Sequence, residues 1–429
     1  MLRFNNTNSN LLTETQLIHE WVHHLEEKNH KIADLSRGKP SFPADKDALD
    51  AIKSHIKELE GKVALYGTNP LGEHEIKQKA ATALKKEYNA DFKTENIVFT
   101  PGGQFGLSLT FKLIQEKFPK GKIVMHCPWY LNHHELIDYN GDKNNILAVN
   151  SAAESNFNIT ADLISDSLKN NQYDIAAFLF CNPANPSGQV IQKSKWLKIA
   201  EILNQYPQSY IILDEAFSEV IFDYNFDCSL LHAYPEILKR TFLFRSGTKA
   251  LGLPGERPAI THVPDDFINQ FTYHQSRMLG NPAISTQKAM AQALSSINQE
   301  KKRNISRYYK ANAEFLYNEL VAILPKDKII KPQGGFYLLA KFDDLSGRRI
   351  PKKAKKILET SQNEISNDVE LAISLLFSLS DNSKEGVALI PGSSFGLKSS
   401  EMWMRVSFSP GESDIKKATN LLKNIVTPL

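Results

Sequence analysis

The sequence predicts an α/β protein: a large part built on a mostly parallel sheet covered by helices, followed by a smaller α+β part. Three observations carry this. Short apolar segments recur from about residue 95, each separated from the next by a longer stretch of helical character. Each segment ends in Gly, Pro, Asn, Asp or Ser, at the edge where open α/β sheets gather their ligands. Beyond about residue 300 the order becomes helix, strand, helix, strand, strand. On this reading residues 1–45 form an N-terminal arm joined to the small part, 46–295 the large domain and 296–429 the small domain.

In chain order, Thr13 and Gln16 form a capping box, Leu12 is placed to staple onto Leu17, and Ile18, Trp21, Val22 and Leu25 share one helical stripe. An extended run, 31–36, leads into Arg37-Gly38-Lys39-Pro40. Strands are expected at 97–100, 122–126, 175–181, 210–213, 241–244 and 259–263, and in the smaller part at 335–340, 387–390 and 402–408. The polar stretch 345–384, with Lys352, Lys353, Lys355 and Lys356, reads as a solvated helix in a surface insertion.

Composition narrows the function. With 429 residues, 41% hydrophobic and 23% charged, the chain can build a full core and two domains. Its 51 Lys and Arg against 48 Asp and Glu leave +3, too near balance for a nucleic-acid binder. No apolar run reaches the roughly eighteen residues of a spanning helix, and the polar start lacks the apolar core of a signal peptide. Cys127, Cys181 and Cys228 have no CxxC spacing, so a reduced, cytoplasmic protein is expected.

The strand ends carry the chemistry. Lys249 leaves an apolar strand into the small-residue run Ser246-Gly247-Thr248-Lys249, where a desolvated amine is suited to Schiff-base chemistry. Ser246 and Arg257 flank it with a neutral donor and a fixed cation, as a phosphate needs. Gly103 and Gln104 open a helix whose N–H groups can take that phosphate, and no GxxxxGK order makes this a Walker loop. Asp214 closes an apolar strand, so its carboxylate needs a cationic partner, unless it caps a helix. Asn185, between Pro183 and Pro186, offers a fixed amide, the alternative being an ordinary turn residue. Arg405, inside the apolar run 402–408, needs an anion: a bound carboxylate, or a structural salt bridge within the small domain.

Together these residues resemble the class I/II aminotransferases, the fold-type I pyridoxal-phosphate enzymes, from about Gly38 to Arg405. The most specific parts are Asn182-Pro-Ala-Asn-Pro-Ser-Gly188 and the Ser246-x-x-Lys249 run ending in Arg257. The resemblance implies pyridoxal 5'-phosphate held by Lys249, with Asp214 at the pyridine nitrogen and His133 behind it. It implies Asn185 at the phenolic oxygen, Tyr130 rather than Trp129 stacked on the ring, and Gly103, Gln104, Ser246 and Arg257 around the phosphate. It further implies a homodimer in which Tyr66 reaches the neighbouring subunit's phosphate, and a substrate α-carboxylate held by Arg405 and the backbone near Gly38.

Three departures stand out. Phe217 replaces the tyrosine whose phenol bonds the cofactor's phenolate oxygen, Arg257-Pro258-Ala259 replaces Arg-x-Gly, and Gly72 lies six residues beyond Tyr66 where the family usually has five. The expected reaction moves an amino group from an α-amino acid to a 2-oxo acid, with Lys249 carrying the proton. The alternative is a lyase, cyclising synthase or decarboxylase on an amino acid, made more credible by Phe217. A third reading, a non-catalytic cofactor-binding regulator, needs a DNA-binding helix-turn-helix, and the residues before Gly38 leave little room for one.

Overall fold

The computed structural model describes residues 13–64, 66–169 and 174–426; Leu12 lies outside them. The first helix, Glu14–Glu27, is closed by the expected capping box. Thr13 Oγ1 accepts from the Gln16 N–H at 3.2 Å, and Gln16 Oε1 accepts from the Thr13 N–H at 2.9 Å. The buried stripe is Leu17, Ile18, Val22 and Leu25, with Trp21 at its margin.

Strand β1 is Lys31–Asp34. The large sheet is built from β2 (Ile97–Pro101), β3 (Lys122–Cys127), β4 (Ile146–Asn150), β5 (Ile175–Cys181), β6 (Tyr210–Asp214), β7 (Thr241–Ser246) and β8 (Pro258–His262). Its order is β2-β8-β7-β6-β5-β3-β4. Only β8 runs against its neighbours, and the other pairs are parallel. Alternation along the strands feeds two cores. Phe178, Phe180, Ile211 and Leu213 pack with Trp196 and Ile199, whereas Ala177, Leu179, Ile212 and Phe242 pack with Leu107 and Phe111. Residues of both alternating sets are buried, which is why these strands read as unbroken apolar runs. Strand β4 escaped the sequence reading because it is an edge strand, mostly half-buried and bounded by Asn145 and Asn150.

The smaller part holds β9 (Ile329–Ile330), β10 (Tyr337–Lys341), β11 (Glu385–Ala388), β12 (Ile390–Pro391) and β13 (Trp403–Ser407). Four of these form an antiparallel sheet ordered β12-β13-β10-β9. Strand β11 instead pairs in parallel with β1, placing Ile32 opposite Gly386. The expected strand 387–390 is therefore divided between two sheets. The helices Glu14–Glu27, Gln299–Val321 and Glu412–Val426 share one core with these strands.

The stretch 345–384 is not a solvated appendage. Ile350, Ala354, Ile357, Ile365, Leu371 and Leu375 are buried in that same core, through the helices Lys352–Leu358 and Asp368–Leu375. Lys352, Lys353 and Lys356 occupy only the exposed face. The polar composition hid the apolar face because the first helix spans just seven residues. Among the described residues no helix is long and apolar enough to cross a membrane.

Candidate active site

Sheet direction assembles the site. Strands β2, β3, β5, β6 and β7 point the same way, so Gly102, Pro128, Asn182, Glu215 and Gly247 follow their ends at one edge. Because β8 runs backwards, its amino end meets that edge, and Arg257 arrives there beside Gly102. A cavity of about 240 Å³ opens at this edge, walled by Gly103, Gln104, Tyr130, Asn185, Asp214, Phe217, Ser246, Thr248, Lys249, Arg257 and Tyr337.

One end of the cavity presents hydrogen-bond donors. The helix Gly103–Lys117 starts at Gly102, whose φ of +87° suits glycine, and no side chain caps it. A Cβ on Gly102 would lie 2.4 Å from Arg257 Nη2, while Gly103 has open space where a side chain would be. Ser246 Oγ lies 2.8 Å from Thr248 Oγ1, and Arg257 donates through Nη1 to the Pro254 carbonyl at 3.1 Å. Open helix N–H groups, two hydroxyls and a guanidinium suit a phosphate. The Pro258-Ala259 departure leaves Arg257 at this edge, with a positive φ of 57°.

Asp214 is 5% exposed, and its Oδ2 lies 2.9 Å from His133 Nε2. Oδ1 accepts from the Ala216 N–H at 3.1 Å, but no helix follows, so Asp214 is not a helix cap. Among the described residues no lysine or arginine pairs with it. A buried carboxylate short of a fixed cation suits a protonated ring nitrogen. The ring between these ends would meet Tyr130, whose hydroxyl accepts from Asn132 Nδ2 at 2.8 Å and which touches His133 edge-on at 5.1 Å. Burial pushes the Tyr130 phenol's pKa up, keeping it neutral. Trp129 stacks on His134 at 5.6 Å and takes no part in the cavity wall.

Lys249 Nζ donates to the Gly38 carbonyl at 3.1 Å and sits 5.7 Å from the Phe217 ring centroid. Phe217 thus faces the cavity, with its ring packed on Phe336 at 5.0 Å. Beyond it lies Arg405, buried, with Nη2 donating to the Ser36 carbonyl at 2.7 Å and Nη1 to Asn185 Oδ1 at 3.3 Å. This bond uses the Asn185 oxygen and leaves its amide NH2 as a donor. Arg405 Nε is buried with no partner, and no carboxylate of the described residues pairs with the guanidinium. The expected alternative of a structural salt bridge is therefore not what forms. Burial lowers the Arg405 pKa, a cost that a bound anion would offset.

Tyr66 is 95% exposed and lies outside this wall, so a single chain does not bring it to the site. The sequence reading missed Thr248, Cys181 and Tyr337 as wall residues. Thr248 had a signal, a second hydroxyl two residues after Ser246. Cys181 had a weaker one, as the last residue of β5 beside Asp214 in register. Tyr337 had none, since it comes from the other sheet.

Fold and site together define a fold-type I enzyme built around a phosphate-bearing ring cofactor. Residues 30–422 match the family model for aminotransferase class I and II, and the chain belongs to that family. It is accordingly an aminotransferase dependent on pyridoxal phosphate and acting on amino acids, and the lyase, synthase and decarboxylase alternatives are not favoured. A probable aspartate/prephenate aminotransferase of Rickettsia felis is 26% identical over 90% of this chain and 86% of its own length. A probable aspartate aminotransferase of Methanocaldococcus jannaschii is also 26% identical, over 91% of this chain and 92% of its own. The solved aspartate aminotransferase of Rhizobium meliloti shares the fold with a TM-score of 0.81 at 19% identity, covering 99% of each chain.

Proposed function

We propose that this chain moves an amino group between an α-amino acid and a 2-oxo acid within the cavity beside Lys249. One observation carries the reading: Lys249 shares its cavity with the phosphate donors and with Asp214, a buried carboxylate that no lysine or arginine of the described residues pairs with, while Asn185 of the same wall is bonded to Arg405, a buried cation with no carboxylate partner among them. Pyridoxal phosphate bound there would supply an electrophilic carbon for an amine nitrogen and a ring able to draw electron density from Cα. Lys249 holds the cofactor and then carries the proton released at Cα. Asp214 keeps the ring nitrogen protonated, and His133 fixes the orientation of that carboxylate. Tyr130 covers the ring face, and Asn185 donates to its phenolic oxygen. Gly103, Gln104, Ser246 and Arg257 bind the phosphate, with Thr248 added. Arg405 takes the substrate α-carboxylate in its fork, assisted by the backbone near Gly38.

The exposed Tyr66 belongs in this reading to a homodimer, reaching the phosphate of the second copy, and the protein works in the cytoplasm. The aspartate named for the relatives supports testing that amino acid first. The test is a half-reaction: holoenzyme is mixed with single amino acids, aspartate among them, without an oxo acid. Loss of the long-wavelength cofactor absorbance with release of the matching oxo acid is expected for the true donor. Release of ammonia or carbon dioxide instead would overturn the reading.

A further inference from the structure

The Tyr337 hydroxyl has no part in the proposed reaction. Tyr337 is 4% exposed and lines the cavity, yet among the described residues no hydrogen bond engages its hydroxyl. Its position is defined from three sides. A Cβ built on Gly38 would lie 1.7 Å from Tyr337 Oη, so the oxygen rests against the Gly38 backbone. The Gly38 carbonyl in turn accepts from Lys249 Nζ at 3.1 Å. The Tyr337 ring centroid lies 4.1 Å from Arg405 Cζ, and the Phe395 ring adds a second contact at 4.8 Å. Aromatic rings against a guanidinium hold its plane and leave its edge for an anion.

We propose that Tyr337 is a further binding residue for the substrate α-carboxylate: its hydroxyl donates to one carboxylate oxygen while its ring fixes the Arg405 fork that holds the group. The proposal rests on the assignment of Arg405 to that carboxylate. A competing task for the hydroxyl is to replace the phenol missing at Phe217, whose ring centroid lies 6.1 Å from that of Tyr337. Placement favours the carboxylate, because the hydroxyl meets Gly38 and the ring meets Arg405, the two groups at that end.

The test compares wild-type holoenzyme with Tyr337→Phe, which keeps the ring and removes the donor, and with Tyr337→Leu, which removes both. For Tyr337→Phe, KM for the donor amino acid and Kd for 3-phenylpropanoate, followed through the cofactor spectrum, should both rise on the order of tenfold. The kcat should stay within about twofold, since the bond is made equally in ground and transition states. Affinity for phenethylamine, which has no carboxylate, and the pH midpoint of the cofactor absorbance should not move. Tyr337→Leu should weaken 3-phenylpropanoate further. Unchanged carboxylate affinity in Tyr337→Phe overturns the proposal, and a moved pH midpoint with unchanged carboxylate affinity assigns the hydroxyl to the cofactor instead. The 3-phenylpropanoate titration needs no turnover, so it judges Tyr337 even where the half-reaction of the wild type rejects amino transfer.

Discussion

His133 Nε2 and Asp214 Oδ2 are hydrogen-bonded at 2.9 Å between side chains only 1% and 7% exposed. The histidine comes from the helix Leu131–Tyr139 and the aspartate from the end of β6, so two elements fix one carboxylate. Asp214→Ala should cost several orders of magnitude in kcat/KM, because the ring nitrogen loses its anion. His133→Gln should cost less, about 10- to 100-fold, since it only orients that anion. Steady-state kinetics decides; near wild-type turnover of Asp214→Ala would reduce the pair to a packing contact.

Lys249 lines the same cavity as that anion. Lys249→Ala should still bind the cofactor, because the phosphate cup and Asp214 are untouched, but should not turn over. Equilibrium dialysis measures the first claim and a coupled assay the second. In the wild type, borohydride reduction and peptide mapping should mark Lys249, and a label on another lysine refutes the assignment.

Much of this site could be read in the sequence because parallel strands buried on both faces announce their own ends. Cys181, Asp214 and Ser246 each terminate an apolar run, and the sheet brings those ends together. What stayed hidden depends on contacts between distant segments. Tyr337 joins the wall only because β10 packs beside Phe217 and Arg405, and no spacing encodes that approach. The buried helices within 345–384 are short, so their few apolar residues gave too little periodicity to outweigh the lysines.

Arg405→Lys should weaken substrates bearing an α-carboxylate by a few kcal/mol at most. Lysine cannot supply the bidentate fork, and it would also lose the bonds to Asn185 and Ser36. Amines without a carboxylate should react equally poorly in both proteins. A parallel loss on such amines would mean that the substitution damages the pocket as a whole.

Phe217 faces Lys249 where the family carries a tyrosine. Phe217→Tyr introduces a phenol able to donate to the cofactor's ionised oxygen, which favours the deprotonated form of the lysine-linked cofactor. The pH midpoint of its absorbance should therefore fall, by on the order of one unit. A spectrophotometric titration decides it. An upward shift, or none, would mean that another donor already occupies that oxygen.

His262 lies in β8, 4% exposed, with Nδ1 donating to the Thr241 carbonyl at 2.8 Å and the Phe92 ring against it at 5.3 Å. Burial lowers its pKa from 6.5 to about 4, because the charged form would be desolvated. The ionic groups facing it, Lys93 and Asp265, pair with each other at 2.7 Å and largely cancel. The folded pKa is depressed, so the unfolded chain binds the extra proton first. Stability contributed by the neutral ring is then full above about pH 6.5 and is lost as pH falls toward 4. For one such histidine the loss between about pH 7.5 and about pH 5.5 is on the order of 1 kcal/mol. His262→Asn keeps a donor for Thr241 and removes the titration, so its urea midpoint should be lower at neutral pH but fall less on acidification. An equally steep acid loss in the variant would show that other groups set the acid limit of this fold.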